Sequence, residues 1–124
     1  MEIEKLSDKG DLLTSKQYLA QAIGRQVYFA RRSRGVTGSE LAEKLGISQQ
    51  QVSRYERGIC RIDVDTLVYL LNQLNIPLDT FFYNVSLTLK ELSPKTYEQY
   101  YYCFYPVVDM INDKYLLIKS NRYF

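Results

Sequence analysis

The sequence predicts an all-α fold, in which five helices form one small bundle and a C-terminal helical extension follows. Apolar residues recur at spacings of three and four along most of the chain, and capping residues and glycines mark the ends of these segments. A length of 124 residues allows one core with some appended structure. We expect a flexible N-terminal leader over residues 1–14, a folded domain over 15–83 and an aromatic-rich extension over 84–124.

The first predicted helix covers residues 15–34 and ends at Gly35. The residues before it are polar enough to form a leader without a fixed structure. The apolar face of this helix contains Tyr18, Leu19, Ile23, Val27 and Ala30.

The second helix is predicted from a capping box. The Thr37 hydroxyl can accept from the Glu40 amide, and the Glu40 carboxylate can reach back to the Thr37 amide. Gly46 ends this helix, because a residue without a Cβ adopts the left-handed conformation that a sharp turn requires. The inward positions are Leu41, Ala42 and Leu45.

A third helix is predicted over residues 49–57, with Ser48 as its N-cap, Gln51 three residues on and Gly58 at its end. Two capped helices joined by a short turn that contains glycine form a helix-turn-helix, here over about residues 37–57. The third helix is polar around most of its circumference. Its first turns carry Gln, Ser and Arg, which suit base edges and phosphates better than the Glu and Lys of an ordinary exposed helix.

A fourth helix is predicted over residues 63–74, and a short fifth helix with Pro77 at its first position ends at Phe82. Two more helices are predicted in the extension. One begins at the Ser-Pro pair of residues 93–94, and the other is an amphipathic run over about 106–119. A strand is the alternative over residues 100–105, because aromatic residues favour strands. We expect the tyrosines of this region to pack against the bundle or against a second subunit, and dimerisation is the preferred use of this extension.

The composition argues against an enzyme. The chain has no histidine and only two cysteines, Cys60 and Cys103, so neither a Cys/His zinc site nor a histidine-based catalytic centre can form. We expect no cofactor and no metal, and Cys60, in the loop after the third helix, is expected to be inert and not a redox switch. No signal peptide and no apolar run long enough to span a membrane is found, which predicts a cytoplasmic protein.

Positive charge is concentrated in one part of the chain. Residues 24–61 contain eight basic and three acidic residues, a net charge of +5, whereas the rest carries −3 of the total +2. A basic segment of this kind is typical of a surface that binds a polyanion.

The segment GSELAEKLGISQQQVSRYERG, residues 38–58, resembles the Cro/cI-like (XRE) family of DNA-binding regulators. The resemblance covers about residues 23–82 and implies the five-helix bundle of that family. Residues 48–58 are also similar to the recognition helix of enterobacterial fimbrial-operon regulators of the MrpJ type. That second resemblance implies fimbrial and motility genes as targets.

The resemblance implies that helix 49–57 enters the major groove of double-stranded DNA. Glutamine can bond to adenine and arginine to guanine with two hydrogen bonds each, so Gln49, Gln50 and Arg54 are the expected base-reading residues. Gln51 either contacts DNA or folds back to the Ser48 amide as part of a capping box.

The family pattern places Ser39, Ser53, Arg57 and Arg61 near the phosphates, where they would orient the protein without reading the sequence. Relatives commonly carry a phosphate-contacting glutamine at the first position of the second helix, and this chain has Gly38 instead.

Other positions are expected to support the motif. Arg31 and Glu56 match a pair that bridges the first and third helices in relatives. Three further arginines are expected on a solvated face, namely Arg25, Arg32 and Arg34. The remaining supporting positions are Ala42, Gly46, Val52 and the inward Tyr55.

The resulting hypothesis is a transcriptional regulator that binds a double-stranded DNA operator as a homodimer. The alternative is an antitoxin-like protein-interaction module that also binds its own promoter. An enzyme is the weakest interpretation, since no carboxylates are paired beside a nucleophile.

Overall fold

Seven α-helices are present in the computed structural model, which describes residues 2–105 and, from residue 13 onward, their side chains. No strand occurs in this range, so the all-α prediction is confirmed and the strand alternative at 100–105 is wrong. The predicted helix over 106–119 lies outside the described residues. The helices are α1 Glu2–Ser33, α2 Gly38–Leu45, α3 Gln49–Glu56, α4 Val64–Gln73, α5 Leu78–Leu92, α6 Pro94–Gln99 and α7 Tyr101–Phe104.

The first helix is longer than the sequence predicts. It begins at Glu2 and not near residue 15, so it includes most of the segment that polarity had assigned to a leader. Glu, Lys and Leu are common in this segment and no proline interrupts it. These residues lose little side-chain freedom in a helix, and a polar composition therefore does not prevent helix formation.

Helix α1 is the centre of the bundle, with α3 on one side and α5 on the other. On its apolar face Ala22 and Val27 are fully buried, whereas Leu19 and Ile23 are partly buried. Each buried side chain of this size stabilises the fold by about 1–3 kcal/mol relative to an exposed one. The other helices contribute buried residues to the same core, among them Leu41, Val52, Leu67, Leu70, Phe81, Val85 and Leu89.

The fifth helix does not end at Phe82 as predicted. It continues to Leu92 and crosses the predicted boundary between residues 83 and 84 without a break. Val85 and Leu89 are completely buried against the core, so the periodic apolar face of α5 extends well past the change in composition. Pro77 is the N-cap of this helix and not its first residue.

The described part of the extension packs on its own bundle. The predicted start at Ser93-Pro94 is confirmed, because the Ser93 hydroxyl accepts from the Thr96 amide at 3.2 Å. The Tyr105 hydroxyl and the Ser86 hydroxyl form a hydrogen bond, which ties the end of α7 to α5. The aromatic residues that pack against the core from this region are Tyr97, Tyr100 and Phe104.

Among the described helices, none combines the length and the apolar composition that crossing a membrane would require.

Candidate nucleic-acid interface

Helix α2 begins with the predicted capping box, which is confirmed in both directions. The Glu40 amide donates to the Thr37 hydroxyl at 3.1 Å, and the Thr37 amide donates to the Glu40 carboxylate at 3.3 Å. Two of the amides that a helix start leaves unpaired are thus satisfied by side chains. The capping box fixes the point at which the chain enters the helix-turn-helix.

The turn between α2 and α3 depends on Gly46. Its φ of 67° lies in the left-handed region, and its amide donates to the carbonyls of Ala42 and Glu43. The Ile47 amide donates to the same Ala42 carbonyl at 3.0 Å. These bonds close α2 and turn the chain sharply, as the sequence predicted.

Helix α3 starts at Ser48, whose hydroxyl accepts from the Gln51 amide at 3.1 Å. The reciprocal bond of a capping box, from the Ser48 amide to the Gln51 side chain, is not formed within the described structure. The half-buried Gln51 side chain therefore remains available for another contact.

One face of α3 is exposed along its whole length. At 100° per residue, Gln50, Arg54 and Arg57 lie on this face, and all three are exposed. The opposite face contains the buried Val52. Gln49 is exposed at one edge of the same face, at the beginning of the helix. The structure thus brings three of the four predicted base-reading residues and Arg57 onto one accessible surface, which we call the reading face.

The predicted phosphate contacts lie on α2, on α3 and in the segment that follows α3. Ser39 is exposed in the first turn of α2, and Ser53 is half-buried on α3. The Arg57 side chain folds back onto α3, and its Nε donates weakly to the Ser53 carbonyl at 3.4 Å. Arg61 is exposed in the segment after α3, where it lines the same cavity as Lys16 of α1.

Gly38 lies directly beside a base-reading candidate. A Cβ at this position would be 3.7 Å from Nε2 of Gln49, which is an ordinary van der Waals distance. The first residue of α2 and the first residue of α3 are therefore neighbours. The chain lacks a side chain at this position although the structure has room for one.

Arg31 and Glu56 form the predicted bridge between α1 and α3. The Arg31 Nε donates to Oε2 of Glu56 at 2.7 Å, and its Nη2 donates to Oε1 at 3.1 Å. The two side chains are only 13% and 10% exposed. The hydrogen bond to Glu56 raises the pKa of Arg31. A third bond, from Nη1 to the Val36 carbonyl at 3.0 Å, ties the segment before α2 to the same guanidinium.

The other supporting positions face inward or shape the turn. Ala42 and Val52 are buried, and Tyr55 is half-buried at the side of α3 that faces α1. Together with Gly46 they hold α2 and α3 against the scaffold and leave the reading face free.

Two glycines at the contact between α1 and α3 were not recognised as such from the sequence. A Cβ at Gly24 would lie 2.2 Å from the Tyr55 carbonyl oxygen, and a Cβ at Gly58 would lie 2.8 Å from Cα of Gln21. The two backbones therefore approach too closely for any other residue. The signal in the sequence was a glycine within the periodic apolar face of α1.

Arg32 and Arg34 are exposed, as expected of a solvated face, but both side chains also form contacts within the fold that the sequence did not indicate. Arg34 donates to the carbonyls of Leu74 and Asn75, at 2.9 and 3.1 Å, and so caps the C-terminal end of α4. Arg32 donates to the Tyr28 hydroxyl and lies over its ring. An exposed arginine can thus also stabilise the fold through its side-chain contacts.

Comparison with known proteins agrees with this geometry. Residues 27–81, from the end of α1 to the start of α5, match the family model described as Helix-turn-helix. Within this segment the structure forms two capped helices joined by the turn at Gly46, which is the arrangement that the family model describes.

Relatives of the chain are named as transcriptional regulators. An uncharacterized HTH-type transcriptional regulator of Rickettsia conorii is 34% identical over 74 residues, which cover 60% of this chain and 57% of that protein. The HTH-type transcriptional regulator ImmR of Bacillus subtilis is 40% identical over 58 residues, which cover 47% of this chain and 46% of ImmR. The chain thus spans about half the length of these relatives. Their names agree with the expectation that the chain is not an enzyme.

Two crystal structures of the clp gene regulator ClgR from Corynebacterium glutamicum share the fold. One has a TM-score of 0.55 at 25% identity and covers 57% of this chain and 91% of that chain. The other has a TM-score of 0.58 at 21% identity and covers 71% of this chain and 95% of that chain. These similarities confirm the helical helix-turn-helix architecture.

Proposed function

We propose that the protein is a sequence-specific transcriptional regulator that binds double-stranded DNA through the reading face of α3. The observation that carries the proposal is the exposed row of amide and guanidinium groups on a short helix whose opposite side is anchored in the core. An α-helix with such groups fits the major groove of B-DNA, where each base pair presents a distinct pattern of donors and acceptors. A cytoplasmic location follows from this function.

In this proposal Gln49, Gln50 and Arg54 read bases, since amide and guanidinium groups can each form two hydrogen bonds with a purine. Gln51 adds a contact from the other edge of the helix, in keeping with the absence of the reciprocal capping bond. Each correct pair contributes about 1–3 kcal/mol of discrimination against the wrong base.

Phosphate contacts position the reading face in the groove. We assign them to Ser39, Ser53, Arg57 and Arg61, with the backbone amides in the first turn of α2 as additional donors. Gly38 supplies no side chain for such a contact. Arg61 lies in the segment after α3 and outside the reading face, so it contributes affinity and salt dependence but no sequence preference.

We also propose that the protein acts as a homodimer through the faces of α1 and α5 that point away from the core. This surface carries large exposed apolar residues, Phe29 at 52% and Leu87 at 42% exposure. Arg25 and Glu91 lie beside the hollow that these residues line. In a two-fold arrangement the same patch meets itself, so Arg25 of each subunit can approach Glu91 of the other. Two reading faces would then address operator half-sites about 34 Å apart.

A charge in this patch is expected to separate the dimer. Leu87→Glu places carboxylates on both sides of an apolar contact, and we expect a monomer of native helical content with weakened operator binding. Sedimentation velocity measures the change. Val68→Glu, at an equally exposed apolar position on α4 outside the patch, is the matched control and should stay dimeric. A Leu87→Glu protein that sediments as the unmodified chain would refute this dimer.

A narrower proposal concerns the target genes. The similarity of residues 48–58 to recognition helices of MrpJ-type regulators supports operators at fimbrial and motility genes. Because that helix holds the base-reading residues, a similar helix is expected to select similar operators.

The test is to bind the protein to fragmented genomic DNA of its host and to sequence what is retained. We expect enrichment of fragments from fimbrial and motility promoters that share a repeated half-site. The variant Gln49→Ala, Gln50→Ala, Arg54→Ala should lose this selection by a factor of at least about 100, and keep weak, salt-sensitive binding to any duplex. Selection of the same sites by the variant would refute the assignment of the base-reading residues. Enrichment of unrelated promoters would refute only the fimbrial targets.

A further inference from the structure

We propose that a cavity behind α3 is a binding site for a small organic anion with an apolar body. The cavity lies between α1 and the segment that follows α3, on the side of α3 away from the reading face. Its volume is about 250 Å³. A cavity of about 150 Å³ accommodates benzene, so this one has room for a single ring with a short acidic substituent.

The walls of the cavity are apolar. Leu19 and Ile23 of α1 form one side, and Ile62 and the Tyr55 side chain form the other. These side chains are only partly buried among the described residues. The cavity is therefore an opening at the edge of the hydrophobic core that no described residue covers. Such a concave apolar surface with a few polar groups is the usual form of a small-molecule site.

The charged residues of the cavity all have the same sign. Lys16 and Arg61 line it, and no aspartate or glutamate does. Within the described structure neither cation forms an ion pair or a hydrogen bond, whereas Arg31, Arg32 and Arg34 all do. Two cations without partners beside an apolar cavity favour a ligand that carries a carboxylate on an apolar body. A neutral ligand of the same shape would form no ion pair with either cation.

Occupation of this site affects DNA binding, an inference that rests on the proposed function. Arg61 is assigned to a DNA phosphate, and the same guanidinium would pair with the ligand carboxylate. A ligand that binds the free protein better than the DNA complex must weaken DNA binding by the same factor. The anion therefore acts as a releasing effector.

The first experiment measures ligand binding without DNA, so that its outcome is independent of the proposed function. Phenylacetate is titrated into the full chain by calorimetry, and we expect saturation with a Kd on the order of 1 mM, a value in keeping with so small a ligand. Phenylacetamide, which has the same ring without the charge, and acetate, which has the charge without the ring, should bind at least about tenfold more weakly.

The location is tested by the thiol of Cys60, which lines the cavity. In a Cys103→Ser background, phenylacetate should slow the reaction of Cys60 with a thiol reagent severalfold. Lys16→Met should weaken binding by about threefold, as expected for one exposed ion pair. Lys44→Met, at an exposed position on α2 that does not line the cavity, is the matched control.

The outcomes separate the site from its effect on DNA. Equal binding of phenylacetamide, no binding at roughly 10 mM phenylacetate, or unchanged Cys60 reactivity at saturation would each overturn the anion site. In a second experiment, phenylacetate is added to the complex with a retained genomic fragment, and we expect release of the DNA. Saturable binding without release would overturn the effector role alone. A chain that binds phenylacetate but no DNA would overturn the proposed function and leave the site standing.

Discussion

Replacing Arg31 with methionine is expected to lower the free energy of unfolding by about 3 kcal/mol, near the value found when one partner of a buried ion pair is removed. Methionine fills a similar volume, so the loss arises from the partners that Arg31 leaves. The Glu56 carboxylate would be largely buried without its cation, and the Val36 carbonyl would lose its donor. Thermal unfolding should show a decrease in Tm on the order of 10 °C.

Two comparisons make this prediction specific. Lys44→Met removes an exposed cation from α2 that lies in neither the reading face nor the proposed dimer patch, and it should change the Tm by no more than about 2 °C. The double variant Arg31→Met, Glu56→Leu removes both charges and should recover more than half of the lost stability. If the double variant is as unstable as Arg31→Met, the unpaired carboxylate is not the cause of the loss.

Replacing Gly24 with alanine is expected to destabilise the protein by about 2–3 kcal/mol, although alanine is the better helix former by about 1 kcal/mol. The new methyl group would lie 2.2 Å from the Tyr55 carbonyl oxygen and 2.8 Å from that of Glu56. Both atoms belong to the backbone and cannot rotate away, so α3 must move away from α1. Because α3 carries the reading face, operator affinity should fall together with the Tm.

Gly38→Ala is the matched control, since Gly38 is also helical but has space for a methyl group. At this position the substitution should stabilise the protein by a few tenths to about 1 kcal/mol, because alanine restricts the unfolded chain. Denaturant unfolding of the two variants measures both effects. A Gly24→Ala protein as stable as Gly38→Ala would show that α1 and α3 are not held at the described distance.

The helix-turn-helix could be predicted closely because its determinants are local. The Thr37 and Ser48 hydroxyls bond to amides three residues away, and the left-handed turn at Gly46 is closed by carbonyls of the preceding turn. Such bonds depend on residues that are neighbours in the sequence. The polar character of α3 could also be predicted locally. Its exposed Gln and Arg side chains follow from residue type alone and do not depend on which helix packs beside it.

The errors concern features that depend on distant residues. The predicted end of α5 at Phe82 followed a change in composition, but Val85 and Leu89 continue the helix because α1 buries them. Arg34 is exposed as expected, but its role as a cap could not be predicted, because the end of α4 lies 40 positions further along the chain. In both cases a contact with a distant helix decided the outcome.

The same division holds for the site. By itself the sequence determined which residues are suited to reading bases and where the two helices of the motif begin and turn, because caps, turns and side-chain chemistry are local properties. Only the tertiary structure decided that α3 approaches α1 closely enough to require Gly24 and Gly58. It also decided that an apolar cavity lies behind the reading face, lined by two cations that form no ion pair with any described residue. The physical reason is that close backbone contact and cavities arise between surfaces of different helices, and no single segment of sequence contains both surfaces.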